Sequence, residues 1–96
     1  MALTRKALDQ LIVKIRAVLK TALLEQDPTG RMSVTPEHGD NVHILIISNL
    51  FKDLSFSQRD NIVWPILENA LEDHEIVHIS LCLLLTPDEA LVGASN

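Results

Sequence analysis

A chain of 96 residues that is 47% hydrophobic and 22% charged is long enough for one packed core and too apolar for a disordered tail. Its net charge of −5 is unevenly placed, with five bases against Asp9 in residues 1–20 and three bases against twelve acids in the rest, which is not the footprint of a general nucleic-acid binder. The single cysteine, Cys82, excludes an internal disulfide, and no apolar run approaches the ~18 residues of a membrane span, so the sequence predicts one soluble, cytoplasmic domain over residues 1–96.

Taken in chain order, Leu8, Leu11, Ile12, Ile15, Val18, Leu19, Ala22 and Leu23 recur at the spacing of one helical face. Lys6, Gln10, Lys14 and Thr21 fall on the other side, so the positive charge reads as a solvated face. A basic, amphipathic start is also the form of a transit peptide, but those are Ser-rich and acid-poor, and this segment has no serine and carries Asp9. Asp27, Pro28 and Gly30 predict a turn. Arg31 to Pro36 follows as an edge strand, Glu37 to Asn41 as a polar hairpin loop displaying His38, and Val42 to Ser48 as a β-branched strand.

Ser57 and Asp60 have the spacing of a capping box, and Val63, Ile66, Leu67, Ala70 and Leu71 form a helical stripe. Proline lacks an amide donor and fits best in the first turn of a helix, so Pro65 predicts a break: a helical turn over 57–61 and a second helix over 62–71. Glu75 to Leu85 reads as the last strand, Thr86 to Glu89 as a helix start or terminal turn, and residues 90–96 as a flexible tail. The expected order is αββααβ, an α+β fold with no repeat and no linker.

Two stretches carry a resemblance. Ser48-Asn49-Leu50-Phe51-Lys52-Asp53, continuing through Arg59, Val63 and Leu67, has the spacing of the BolA-like family's Ser-Asp-x-Phe-x-Gly, Arg-His-Arg-x-Val and Leu pattern. Val77-His78-Ile79-Ser80-Leu81 and Thr86-Pro87-Asp88-Glu89 look like its Val-His-Ala-Leu strand and Thr-Pro-x-Glu ending. The resemblance spans roughly residues 42–89 and implies a class II KH-like domain, a three-stranded mixed sheet covered on one face by helices. It also implies a non-enzymatic adaptor that pairs with a monothiol glutaredoxin and shares a [2Fe-2S] cluster, the glutaredoxin providing thiolates. On that basis His78 is the metal ligand, His38 in the hairpin loop the second, and Phe51 and Arg59 belong to the partner surface. The chain departs from the family at Asp53, where the family has Gly, and at Asp60 and Asn61, where it has His and Arg; this reverses the local charge of any surface read electrostatically.

Strict alternation along the last strand puts Val77, Ile79, Leu81, Leu83 and Leu85 toward the helices and His78, Ser80, Cys82 and Leu84 away from them. His78 is then free of the core, and Cys82, four strand residues or about 13 Å further on, is too far to share an iron with it. His43 and His74 match no ligand of the family and are assigned no role. Enzyme signatures are missing: no nucleophile elbow, no His-Glu-x-x-His and no Gly-rich phosphate loop. The same element order belongs to KH domains, which keeps nucleic-acid binding as an alternative, although Asp53-Leu54-Ser55-Phe56 offers neither the Gly-x-x-Gly loop nor a base. A dimerising interaction module without a cluster is the third reading.

Overall fold

Thr4 starts the first helix by accepting a hydrogen bond from the Ala7 amide through its side chain, which satisfies one of the orphan donors of a helix N-terminus. In this computed structural model, which describes residues 3–94, helix α1 runs Arg5–Leu19 and continues as a π-helical turn, Lys20–Leu24. Its predicted stripe is the buried one: Leu8, Leu11, Ile15, Leu19 and Leu23 all lie in the core. Strand β1 (Arg31–Glu37) pairs antiparallel with β2 (Asn41–Ile47), and β3 (Ile79–Leu85) adds parallel to β2, giving a three-stranded mixed sheet in the order β1-β2-β3. Gly39 and Asp40 make the hairpin turn with φ of 75° and 64°, the left-handed region that glycine and aspartate tolerate best.

Between β2 and β3 come a 3₁₀ turn (Asn49–Phe51), helix α2 (Phe56–Ala70) and a single helical turn, α3 (Asp73–Ile76); α4 (Pro87–Ala94) closes the described chain. Among the described residues the fold is therefore α+β with four helices; up to β3 the elements read αββααβ, but one helix fills the span where two were expected and the second is the turn at 73–76. Its parts differ from expectation in three ways. Helix α2 is continuous through Pro65, whose ring lies on the exposed face; Asn61, four residues back, is exposed too, so the carbonyl deprived of its donor can meet water. The capping box is formed by Ser55 and Gln58, two residues earlier than the sequence pattern indicated. Residues 90–94, expected in a tail, continue α4, while 95–96 lie outside the described residues.

The largest correction concerns β3. The strand expected from Glu75 begins at Ile79, because residues 75 and 76 belong to the helical turn α3, and the ladder is irregular at Val42/His43, where Val42 pairs with Ile79 and His43 with Leu81. One extra residue inverts side-chain alternation. Ile79, before the irregularity, packs toward the core as expected; beyond it Cys82 and Leu84 do so too, and Leu81 and Leu83, 46% and 39% exposed, lie on the outer face with His43 and Leu45 as their ladder partners. Helices cover one face of the sheet; the other is open, aliphatic along β2 and β3 at Leu45, Ile47, Leu81 and Leu83 and polar along β1. Among the described residues, no helix is long and apolar enough to cross a membrane.

Candidate functional site

The residues that carried the resemblance fall into two groups once their surroundings are compared. Phe51 is fully buried, and Arg59 is 4% exposed, so neither offers a partner surface; both expectations are corrected by burial. The Arg59 guanidinium donates to the Leu54 carbonyl (3.1 Å), the Leu84 carbonyl (2.9 Å) and both carboxylate oxygens of Glu89 (2.6 and 3.2 Å), and it stacks 4.7 Å from the Phe56 ring centroid. Glu89 simultaneously accepts from the Thr86 amide, so one carboxylate caps α4 and ties it to α2. The Arg59 hydrogen bonds hold the Glu89 carboxyl down at about 2.

The Ser48 motif is structural in the same sense. Ser48 is buried, accepts from the Leu50 amide and donates to Asp27 at 2.8 Å. Asp27 also accepts from the Thr29 hydroxyl and amide and from the Asn49 amide, and these bonds, led by Thr29, hold its carboxyl below the ordinary range. Asp53 adopts a φ of 64°, in the left-handed region that glycine enters freely and aspartate tolerates. Asp60 and Asn61 lie on the exposed side of α2.

His78 is different. It precedes β3, is half-buried, and its Nδ1 lies 3.0 Å from the carbonyl oxygen of Asp40 in the hairpin loop. A carbonyl can only accept, so in the neutral ring this bond selects the tautomer with the proton on Nδ1 and the lone pair on Nε2. That is the arrangement by which metal-ligating histidines are oriented, with the second nitrogen held by a carbonyl or carboxylate. The backbone carbonyl of His78 accepts from Val42, and the Asp40 side chain accepts from the Leu3 amide, so loop, strand and α1 start are joined around the ring.

His78 lines a cavity of about 310 Å³ with Leu3, Ala7, Gln10, Leu11, Lys14, His74 and Glu75. Lys14 and Glu75 pair across it at 2.9 Å; the Glu72 amide and Lys14 together keep the Glu75 carboxyl lowered. His38 is exposed and lines the neighbouring depression with Arg5, Leu8, Pro36 and Asp40. It is thus on the same loop as Asp40 but not in the cavity of His78. His74, passed over in the sequence, is in that cavity; reading residues 75–85 as strand hid a helical spacing of four between the two histidines.

Cys82 does not join this site. Burial pushes its thiol up to about 12, so it stays protonated near neutrality, and it packs against the core from mid-β3. Among the described residues no three His, Cys, Asp or Glu side chains converge as a metal-binding group, so an iron–sulfur cluster at His78 requires ligands from elsewhere. One imidazole with an oriented lone pair fits a contribution to a shared cluster, where histidine replaces thiolate on one iron. Comparison with protein-family models, curated proteins and solved structures finds no match to this chain.

Proposed function

We propose that this chain is a non-enzymatic adaptor of BolA-like, class II KH-like type, which pairs with a monothiol glutaredoxin in a reducing compartment and contributes the His78 imidazole to a shared [2Fe-2S] cluster. The observation that carries the reading is the Asp40 carbonyl at His78 Nδ1, which leaves Nε2 as the coordinating atom beside the hairpin loop. His38, on that loop, is the second ligand candidate from this chain. The cluster would supply transferable iron and sulfide or a one-electron couple; the protein's own part is to hold one nitrogen donor, in one tautomer, at a junction of three elements.

The test is to mix this protein with a cluster-loaded monothiol glutaredoxin and record absorption and circular dichroism. A heterocomplex with a spectrum distinct from the glutaredoxin homodimer, lost in His78→Ala, is expected. No complex, or an unchanged spectrum in the variant, would overturn the proposal.

A second reading is favoured by the open sheet face. Leu81 and Leu83, with Leu45 beside them in the ladder, present aliphatic surface that a protein partner without any cluster could cover. A nucleic-acid role draws no support from residues 53–56, where Asp53 stands in the left-handed position and no base is present.

A further inference from the structure

His74 and His78 are four residues apart, and the first belongs to the helical turn α3 while the second follows it directly. Val77 is still right-handed helical, with φ −62° and ψ −17°, and the amides of Val77 and His78 close back on Asp73 and Glu75. Residues at this spacing on a helix have Cβ atoms about 5–6 Å apart, close enough for two imidazoles to meet one ion at about 2 Å each. Both rings line the same cavity.

We infer that His74 and His78 form a two-histidine chelate for a borderline divalent transition metal, copper(II), nickel(II) or zinc(II), on this chain alone. Nitrogen donors select these ions over magnesium or calcium, which take oxygen. His78 comes to the site with its outer hydrogen bond already made to the Asp40 carbonyl, and His74 is exposed and can turn to it. Glu75 is already engaged through Oε1, which accepts from the Glu72 amide at 2.8 Å and from Lys14 at 2.9 Å. The remaining positions belong to water, which makes the site open and its metal exchangeable. His38 and His43 are outside it, the latter lying beside Glu37 across the hairpin at 3.5 Å.

The inference shares His78 with the proposed function but needs no glutaredoxin, so its test uses the metal alone. Copper(II) is titrated into the purified full chain and into His74→Ala, His78→Ala and His43→Ala, with circular dichroism confirming the fold of each. Nitrogen superhyperfine splitting from two imidazoles is expected in the paramagnetic resonance spectrum, with affinity reduced at least tenfold in His74→Ala and His78→Ala and unchanged in His43→Ala. Since His74 is exposed, its variant gives a readout even where His78→Ala folds poorly. A spectrum with one nitrogen ligand, wild-type affinity in His74→Ala, or loss of binding in His43→Ala would overturn the assignment while leaving the glutaredoxin experiment untouched.

Discussion

The corner around Arg59 and the corner around His78 hold polar residues from the same family resemblance, and they differ in how completely those residues are used. At Arg59 the guanidinium is buried and engages two backbone carbonyls and a carboxylate, so its donors are spent on joining α2, β3 and α4. At His78 one ring nitrogen is held by a carbonyl, and the other has no hydrogen-bond partner among the described residues. A motif position can therefore persist because it holds the fold or because it holds a ligand, and saturation of its hydrogen bonds separates the two.

The sharpest way to break this comparison is Arg59→Ala. Removing one partner from a buried, hydrogen-bonded ion pair usually costs about 3–5 kcal/mol; Glu89 is 37% exposed and can regain water, which places the expected loss near the lower end, about 3 kcal/mol. Urea denaturation should show the midpoint falling sharply. Arg59→Lys should recover only part of it, because an ammonium cannot reproduce the fork onto Glu89. A loss under about 1 kcal/mol would mean that Arg59 is not the structural residue described.

Acid should attack the same corner next, together with the separate turn that Asp27 holds to Ser48 and Asn49. Glu89 is depressed to about 2 and Asp27 is lowered too, so both contribute stability that is fully present above their ordinary values of 4.5 and 3.8 and is lost as pH falls through the folded values. The melting temperature should hold down to about pH 4.5 and decline from there toward pH 2, with a shallower decline in Glu89→Gln. A flat profile across that window, or an equal slope in the variant, would show that these carboxylates do not anchor the fold.

Cys82→Ser comes third. On the outer face, where strict alternation places Cys82, this variant would be nearly neutral; core-facing Cys82 instead brings a hydroxyl into apolar surroundings at a cost of about 1–3 kcal/mol. Thiol alkylation at pH 8 should also be slow in the native state, since the thiol titrates at about 12. Rapid modification without denaturant would put Cys82 on the open face after all.

Cys82 also marks where the sequence stopped being legible. The stripe of α1 and the hairpin were readable because each depends on local periodicity and turn chemistry, and Leu11, Ile15, Ile44 and Ile46 are all in the core. Which side of β3 faces that core was not readable, because it depends on where the ladder with β2 slips, a tertiary event at Val42/His43 with no local signal. The same is true of Pro65, whose tolerance depends on its lying on the exposed side of α2. In the candidate site, His78 was singled out by resemblance, whereas its tautomer and its neighbour His74 depended on a helical turn that a run of β-compatible residues, Glu75 to Leu85, concealed.

The smallest effect expected is on the stability of His78→Ala, and its smallness is what would sharpen the contrast with Arg59. The ring is half-buried, makes one side-chain hydrogen bond to the Asp40 carbonyl and borders a cavity, so truncation leaves a carbonyl that water can reach through that cavity. One neutral hydrogen bond is worth about 0.5–1.5 kcal/mol, and rehydration offsets part of it, so a loss of about 1 kcal/mol or less should appear in thermal or urea unfolding. His78→Gln, which keeps an amide donor able to reach toward Asp40, should recover some of that loss without supplying an imidazole. If His78→Ala instead costs as much as Arg59→Ala, the ring is a structural strut between the hairpin loop and β3, and the two corners are alike. If the loss is small while the ligand readouts at His78 collapse, the fold and the chemistry at that position are separable, as its half-used imidazole implies.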